Sequence, residues 1–444
     1  MNPSIRPLIF LLLVVVLSVR SQAETVKDRE GAVRGDKARM EKDARWIYND
    51  FERGFEESKK TGKPLLVVLR CVPCIACMGI DASVLTEPEL DPLLHQFVCV
   101  RLINANNLDL NRFQFDYDLS FSALLFNGDG TVYGRYGSWT HQKNAQDKTV
   151  AGFQAALRTV LEIHRDYPAN KATLAGKQGH PLPFKTPLEI PTIAGKYERE
   201  LDWKGKVVQS CVHCHQIGDA HRASLRDAGK TIPSELIYPQ PMPETIGLTL
   251  KPDQAARVDG VVPGSAADKA GFKPGDEILA LDGQPLISIA DMSWVLHQTA
   301  EQAILNAEVR GIEGSKRGLV MTLEKGWRQK SDISRRVATW GMRAMAFGGL
   351  VLEDLTDAER RERSLNNIQM ALRVTMVGQY GKHAAARNSG FQKEDVIVEM
   401  DGLSSRVSES EWLGHLIQSH KPGDQVPASI LRGDTRVTLS MPIQ

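Results

Sequence analysis

The sequence has almost no excess charge and few cysteines, and it lacks one common catalytic motif. Each of these shortages argues against a class of protein. Its 55 Lys and Arg residues balance 54 Asp and Glu residues, which leaves a net charge of +1. A chain so balanced has no overall electrostatic attraction to nucleic acid or to anionic lipid. Six cysteines in 444 residues are too few for a fold built on disulfides. The sequence also lacks a Gly-x-Ser-x-Gly motif, so a serine protease is not expected.

What is present is the composition of a globular protein with several domains. Hydrophobic residues make up 42% of the chain and charged residues 25%, which is ordinary for folded domains. A length of 444 residues predicts two to four domains, since domains usually hold about 100–200 residues each.

The N-terminus carries an apolar run from Leu8 to Val19, preceded by Arg6 and followed by the small-residue site Ser21-Gln22-Ala23. The run is shorter than the about 20 residues that span a bilayer, so it predicts a secretory signal over residues 1–23. An uncleaved anchor that tethers the protein to a membrane is the alternative. No later run in the sequence is long enough to cross a membrane. We therefore expect export to the periplasm or the medium, where disulfides form.

The first 170 residues contain an alternation of predicted helices and strands. The segment 42–60 is predicted to form an amphipathic helix, with Trp46, Ile47, Phe51 and Phe55 at helical spacing. Buried strands are predicted at 65–69, 97–103 and 123–126, a hairpin partner at 131–136 and a closing helix at 150–165.

Three cysteines, Cys71, Cys74 and Cys77, follow the first of these strands and precede a predicted helix. A helix N-terminus stabilises a thiolate, which makes such a cysteine nucleophilic. Two residues between cysteines allow a disulfide to close, so a pair can cycle between dithiol and disulfide. A structural disulfide or a metal clip is the alternative. Cys99 lies between two valines in a strand and is predicted to be a buried, inert thiol.

Residues 42–137 resemble a thioredoxin-fold domain of the exported, single-domain type. The resemblance implies that Cys74 is the attacking thiol and Cys77 the resolving one, with Cys71 at the strand end. Thioredoxins carry a cis-proline opposite the active site, whereas this sequence has Phe121-Ser122 there. That departure argues against general disulfide reductase activity.

The motif Cys211-Val212-His213-Cys214-His215 has the spacing of a haem c attachment site. Two thiols would form thioethers to the porphyrin, and His215 would bind the iron. Met242, which has prolines on both sides, is the candidate sixth ligand, and His221 is the second choice. The alternatives are a plain disulfide, or zinc held by Cys211, Cys214 and His221.

The last 200 residues contain an internal repeat. The segment 266–272 returns 119 residues further on as 385–391, each ending in Gly-Phe. The segment 277–283 returns at the same offset as 396–402, each ending in Asp-Gly. Two tandem modules built on one supersecondary unit are therefore predicted.

The repeats resemble PDZ domains such as those of exported bacterial stress-response proteases. This implies that Ile246, Gly247 and Leu248 form a loop that captures a peptide carboxylate, with Gly348-Gly349-Leu350 as its counterpart. The peptide would add as a strand beside residues 248–250. A charged insertion at 357–363 is predicted to be a solvated helix that restricts the second groove, so we expect the first module to be the better binder.

The order of segments resembles the bacterial exported thioredoxin/PDZ (seleno)protein family. The implied fold class is multidomain α/β plus mainly β: a thioredoxin-like α/β/α domain, a small haem-type segment and two PDZ-like β-barrel domains. The predicted boundaries are a signal at 1–23, a thioredoxin-like domain at 24–167, a linker at 168–199, a cytochrome c-like segment at 200–243, a first PDZ domain at 244–327, a linker at 328–346 and a second PDZ-like domain at 347–444.

These features predict an exported redox protein. A thioredoxin-like dithiol and a covalent haem c would exchange electrons with a redox partner protein, and the PDZ modules would bind protein C-termini or extended peptides. The rival hypothesis is a scaffold without enzymatic activity, in which the PDZ modules bind partners and the cysteine domain is structural or metal-binding.

Replacing Cys74 by serine is expected to abolish reversible redox cycling, because the substitution removes the attacking thiol. Cys99→Ser is the control and should cycle like the wild type. The measurement is alkylation of the thiols after oxidation and re-reduction, read by mass spectrometry. A Cys74 thiol that titrates near the ordinary value of about 8.5 would contradict the prediction of an activated nucleophile.

Overall fold

The computed structural model describes residues 28–70, 72, 85, 87–119, 121–137 and 149–444. The predicted signal segment 1–23 and the cysteines Cys71, Cys74 and Cys77 lie outside the described residues.

The N-terminal domain is built on a five-stranded sheet in the order β1-β3-β2-β4-β5. The strands β1, β3 and β2 are parallel, whereas β4 and β5 are antiparallel to their neighbours. Every residue of β2 to β5 is buried, as expected for strands covered on both faces. The strands are β1 Trp46–Tyr48, β2 Leu65–Arg70, β3 Val98–Leu102, β4 Phe121–Phe126 and β5 Val132–Gly137, and the helices of this domain are α1 Arg29–Met40, α2 Phe51–Thr61, α3 Asp91–Leu94 and α4 Val150–Arg165.

The predicted helix at 42–60 is wrong in its first half, where the chain forms β1. Trp46 pairs with Cys99 of β3 and is buried, so sheet pairing outweighs the helical spacing of the apolar residues. Asn49 then turns the chain at a φ of 57°. Asp50 caps α2 by accepting the N–H of Arg53 at 3.0 Å.

The segment 168–199, predicted as a linker, packs against its neighbours. It contains two short 3₁₀ helices, Lys171–Lys177 and Pro187–Glu189. Leu174, Ile190 and Ile193 are buried in hydrophobic clusters, so the segment lies against the domain surface. The following segment contains the helices α5 Cys214–Asp227 and α6 Ser234–Ile237.

The first repeated module has a two-stranded sheet, β6-β7, and a four-stranded sheet in the order β11-β10-β8-β9. Its elements are β6 Leu248–Leu250, β7 Val258–Val261, α7 Ala266–Ala270, β8 Glu277–Leu281, β9 Gln284–Pro285, α8 Ile289–Gln298, β10 Ala303–Arg310 and β11 Lys316–Leu323.

The second repeated module has one antiparallel sheet in the order β12-β13-β14-β15-β16. The segment 328–346, predicted as a linker, contains most of a helix that packs into this module. The elements are α9 Thr339–Phe347, β12 Leu350–Asp354, α10 Asp357–Glu362, β13 Leu372–Val377, α11 Ala385–Asn388, β14 Val396–Met400, α12 Glu409–Ser419, β15 Gln425–Arg432 and β16 Thr435–Pro442.

The sequence repeat corresponds to equivalent local structure in both modules. Gly271 caps α7, and Gly390 directly follows Ser389, the C-cap of α11; their φ values of 90° and 94° favour glycine. The phenylalanines that follow, Phe272 and Phe391, are both buried. The Gly-Phe pair therefore has the same role in both modules. The glycine lies where the helix ends, and the phenylalanine packs into the core.

The thioredoxin-like sheet and the first module share one hydrophobic core. Helix α8 packs against the edge strand β5, and Lys177 forms a fully buried ion pair with Asp291 of α8. A Cβ atom on Gly134 of β5 would lie 2.5 Å from the side chain of Ile287, so glycine permits the close approach. The two units are joined by a tightly packed contact.

Within the part of the chain that the structure describes, no helix is both long enough and apolar enough to cross a membrane.

Replacing Lys177 by methionine should lower the free energy of unfolding by about 3–5 kcal/mol, because Asp291 would keep a buried charge without its partner. Replacing both residues, as Lys177→Met with Asp291→Leu, should recover part of that loss. The matched control is Lys316→Met, since the pair of Lys316 with Glu308 is more than half exposed and should contribute less than about 1 kcal/mol. Urea unfolding followed by circular dichroism gives the comparison; equal effects of both single substitutions would contradict the prediction.

Candidate functional site

The carboxyl ends of β2 and β3 meet at one edge of the thioredoxin-like sheet, because the two strands are parallel and adjacent. Arg70 ends β2 at this edge and is 3% exposed. Val72 is buried as well and packs with Ile103, which follows β3. The three cysteines of the segment 71–77 follow β2 in the sequence.

The second cysteine motif lies against this same edge. Helix α5 begins at Cys214, and the N–H of His213 donates to the side chain of Gln216 at 2.8 Å. The thiol of Cys211 donates to the carbonyl of Ile103 at 3.5 Å. Cys211 and Cys214 line a cavity of about 20 Å³ together with Arg70 and Val72.

Asn106 holds the motif in this position. Its side-chain oxygen accepts the N–H of Val212 at 2.7 Å. Its amide group donates to the carbonyls of Ser210 and Glu198 at 2.8 and 2.7 Å. The Asn106 side chain is fully buried, and all its polar atoms have hydrogen-bond partners. Sequence reasoning missed this residue, since a single Asn in a loop gives no signal of its future partners.

Burial makes both thiols of the motif weak acids. It raises the pKa of Cys211 to about 11. The pKa of Cys214 is raised to about 12, by burial first and then by the neighbouring Cys211. At neutral pH both side chains are therefore protonated thiols. Cys99 is 3% exposed, as predicted, and burial raises its pKa to about 12.

The residues around Cys211 and Cys214 do not fit a haem as they are packed. A cavity of about 20 Å³ holds roughly one water, whereas small-molecule pockets hold about 300–1,000 Å³. Met242 lines a different small cavity, where its sulfur accepts the hydroxyl of Ser293 at 3.8 Å. The structure thus does not bring Met242 together with the two cysteines, and haem attachment stays a prediction from sequence.

The two histidines that follow Cys211 and the runner-up ligand His221 also have other contacts. The rings of His213 and His215 stack with centroids 5.9 Å apart, and His215 lies 3.4 Å from the carboxylate of Asp219. His221 contacts the ring of Phe184 edge to face. Among the described residues, no three His, Cys, Asp or Glu side chains are arranged to hold a metal ion, which gives the zinc alternative no support.

The predicted carboxylate loop of the first module is a tight turn at the start of β6. Gly247 has a φ of 87°, and its N–H donates to the carbonyl of Glu244 at 3.0 Å. A Cβ atom on Gly247 would lie 2.2 Å from the side chain of Ser265. Ile246 and Leu248 turn their side chains into the core, with exposures of 2% and 0%. These two apolar side chains are therefore not presented to a peptide.

The equivalent strand of the second module is blocked by a side chain. The N–H of Leu352 in β12 donates to the carboxylate of Glu409 in α12 at 2.8 Å. Arg343 of α9 forms a buried ion pair with the same carboxylate. Helix α9 packs against both β12 and α12. A peptide strand would have to displace Glu409 to pair with this edge.

The charged insertion of the second module forms the expected exposed helix over most of its length, with one residue that is buried. Arg360 of α10 is fully buried and donates to the carbonyl of Leu355 at 2.9 Å. It also forms an ion pair with Asp354 at the end of β12. The helix is thus fastened to its own module, and Glu409, rather than α10, blocks the strand edge.

A larger cavity of about 410 Å³ lies where the thioredoxin-like domain, α5 and α8 meet. Phe115, Ile217, His221, Trp294 and His297 are among the residues that line it. Burial lowers the pKa of His297 to about 3, so its ring is neutral. No sequence pattern indicated this cavity, because its walls come from six separate segments.

Comparison with known proteins identifies both domain types. A family model described as thioredoxin-like matches residues 46–128, and one described as PDZ domain matches residues 257–305. The chain therefore contains a thioredoxin-like domain and a PDZ domain.

Two curated proteins and two solved chains illustrate how partial the similarity is. A Do-like protease of Arabidopsis thaliana is 51% identical over 39 residues, or 9% of each chain. A protein of a Marinomonas species, "Probable periplasmic serine endoprotease DegP-like", is 25% identical over 40% of this chain and 34% of its own. A solved chain titled "HtrA-type protease AlgW with decapeptide" is 15% identical, with a TM-score of 0.21, over 42% of this chain and 48% of that chain. A second chain of that protease is 14% identical, with a TM-score of 0.22, over 43% and 54%.

Replacing Asn106 by alanine should make Cys211 and Cys214 react at least about tenfold faster with iodoacetamide, since the loss of a buried hydrogen-bond partner costs about 1–3 kcal/mol. Asn306→Ala, at an exposed position of β10, is the control. Mass spectrometry of the two cysteine-containing peptides over time gives the rates. Equal rates in all three proteins would mean that Asn106 does not hold the motif in place.

Proposed function

We propose that this protein is an exported thiol–disulfide protein whose thioredoxin-like domain acts on polypeptides held by the first PDZ module. The two domain matches support the redox and peptide-binding parts of the proposal. The cysteines of the segment 71–77, which follow β2 in the sequence, supply the dithiol. The signal-like segment and the word "periplasmic" in the name of one relative support export.

The observation that carries the proposal is the packed contact between the two domain types. The guanidinium of Arg135 in β5 lies 3.6 Å from the ring centre of Trp294 in α8. The hydroxyl of Ser288 donates to the carbonyl of Arg135, and both atoms are buried. PDZ domains hold a peptide between a strand and a helix, here β6 and α8. A peptide bound there has a fixed position relative to the thioredoxin-like sheet.

The first module is the better candidate for peptide binding. Strand β6 is paired on one edge with β7, and no other described strand pairs with it. In the second module, the carboxylate of Glu409 already accepts the N–H of Leu352, which is then not available to a peptide. Strand addition uses main-chain hydrogen bonds, and micromolar affinity, about −8 kcal/mol, is the expected scale. The peptides would be protein C-termini or extended segments.

A scaffold without redox activity is the rival hypothesis.

Covalent haem is a separate prediction about Cys211 and Cys214. The absorbance spectrum of the natively exported protein tests for haem attachment. A Soret band that survives acid-acetone extraction would support attachment, whereas its absence would contradict it.

The proposed function can be tested with a peptide that contains a disulfide and ends in a C-terminal sequence that binds the first module. The first module should hold this peptide by its free carboxylate. The full chain, reduced before the assay so that its dithiol supplies the two electrons, should therefore reduce the disulfide at least about tenfold faster than in the same peptide with an amidated C-terminus. Equal rates for the two peptides would separate the redox site from the PDZ module. No reduction of either peptide would favour the scaffold.

Gly247→Val should weaken peptide binding to the full chain at least about tenfold, because a β-branched residue is strained at positive φ and would collide with Ser265. Gly260→Ala in β7 is the matched control, since a Cβ atom there meets its nearest neighbour at 3.9 Å. Isothermal titration with a C-terminal peptide gives the affinities, and circular dichroism verifies that both variants are folded. Unchanged affinity in Gly247→Val would overturn the assignment of the loop.

A further inference from the structure

The cavity of about 410 Å³ between the thioredoxin-like domain, α5 and α8 has no part in the proposed function. Its volume lies in the range of about 300–1,000 Å³ that is usual for small-molecule pockets. Among the described residues that line it are neither Cys211 nor Cys214, which share another cavity, nor the predicted haem ligand His215. The cavity is therefore separate from the predicted haem attachment site.

Aromatic side chains from three segments form much of the wall of this cavity. Phe115 and Tyr117 of the thioredoxin-like domain pack edge to face, with ring centroids 4.7 Å apart. Phe184 comes from the connecting segment and Trp294 from α8. Ile217 of α5 adds a buried apolar side chain. Such a wall favours a ligand with aromatic rings, because rings gain from stacked and edge-to-face contacts as well as from burial.

The volume of the cavity indicates the size of the ligand. An apolar cavity of about 150 Å³ holds one benzene molecule. A cavity of about 410 Å³ therefore has room for two aromatic rings and a short polar group.

The charged side chains buried in the wall already have partners within the protein. Their ion pairs are Arg222 with Asp219, Asp116 and Asp118 with Arg336, and Arg328 with Glu301. Glu235, which also lines the cavity, is exposed to solvent. A charged group of a ligand would thus be buried without a counter-charge, which is costly. The wall therefore favours a neutral ligand.

The two histidines that line the cavity beside these rings add no positive charge. Burial lowers the pKa of His221, and it lowers the pKa of His297 to about 3. Both rings are therefore neutral at pH 7. The Nδ1 atom of His297 accepts the N–H of Gln240 at 3.4 Å, which leaves the proton of the neutral ring on Nε2, as a hydrogen-bond donor.

Arg328 has hydrogen-bond donors that no described residue satisfies. Its side chain lines the cavity and is almost completely buried, with an exposed fraction of 2% for the residue. Its Nη2 atom donates to three carbonyls around the end of α8. Its Nε and Nη1 atoms have no hydrogen-bond partner among the described residues. Buried donors are nearly always paired, so an oxygen acceptor on a ligand would supply the missing partner.

We propose that this cavity binds a neutral aromatic carbonyl compound, a molecule with two aromatic rings and a carbonyl oxygen that accepts from Arg328. The inference does not depend on the proposed function, because the site includes no cysteine and no residue of β6. Helix α8 borders both the cavity and the peptide groove, so the test has to distinguish the two places.

The first test measures which chemical class the full chain binds. Benzophenone is the probe, since it is a neutral ketone with two aromatic rings. Diphenylmethane has the same rings without the carbonyl, and 4-benzoylbenzoate carries an added carboxylate. Equilibrium dialysis in the dark should give benzophenone an affinity at least about tenfold higher than that of either comparison compound, because one lacks the acceptor and the other carries a charge. Equally tight binding of either comparison compound would overturn the inference.

The second test locates the bound probe without any substitution. Ultraviolet light makes benzophenone bond covalently to nearby carbon atoms of the protein. Mass spectrometry should find the label on peptides that contain Phe184, Ile217 or Trp294. A C-terminal peptide bound in the groove of the first module should not reduce this labelling. Label found only outside the cavity, or displaced by the peptide, would overturn the inference.

A third test fills the cavity from α5. A Cβ atom on Gly218 would meet its nearest neighbour, Nη1 of Arg222, at 3.4 Å, so Gly218→Leu adds a side chain without a collision at Cβ. It should weaken benzophenone binding at least about tenfold, because the leucine occupies space that the ligand needs. The matched control is Gly35→Leu in α1, where a Cβ atom meets nothing within 4 Å.

Circular dichroism verifies that both glycine variants are folded before their affinities are compared. Unchanged affinity in folded Gly218→Leu would overturn the inference, as would an equal loss in Gly35→Leu. If Gly218→Leu does not fold, the labelled positions in the wild-type chain decide the question.

Discussion

The buried ion pair between Lys177 and Asp291 is the constraint on which the arrangement of the molecule depends. Both side chains are completely removed from water, and Lys177 also donates to the carbonyl of Pro285. Charges buried in this way are tolerated only with their partners in place. Lys177 belongs to the connecting segment and Asp291 to the PDZ helix, so the pair forms only when both are docked. Arg135 of the edge strand, whose pKa burial lowers to about 10, lies in the same contact.

This docking explains why the connecting segments behave as parts of the core. Leu174 and Ile190, in the predicted first linker, fill hydrophobic clusters. Arg336, in the predicted second linker, is buried and bridges to Asp116 and Asp118 of the thioredoxin-like domain. A proline-rich composition predicts a stiff segment, but it carries no information on whether that segment lies in solvent or against a neighbour.

The two repeated modules show how one residue changes the use of a shared fold. Each groove helix begins after a serine cap, Ser288 in the first module and Ser408 in the second. The next residue is Ile289 in one and Glu409 in the other. Ile289 packs into the core. Glu409 instead accepts the N–H of Leu352 in β12 and forms an ion pair with Arg343. The difference is visible in the sequence, but its effect on the strand edge depends on which groups the fold brings opposite it.

Local pattern by itself determined the strands β2 to β5 of the thioredoxin-like sheet, the repeat with its Gly-Phe pairs and the spacing of each cysteine motif, because turns and apolar runs act over a few residues. The same local pattern assigned residues 46–48 to a helix, because it carries no information on the pairing of Trp46 with Cys99, which is distant in the sequence. Tertiary structure alone decided that Asn106 fixes the second cysteine motif beside Arg70 and Val72, and that Met242 lies elsewhere. Those contacts join residues that are far apart in the chain. They stabilise the structure only after folding has brought the buried polar groups together.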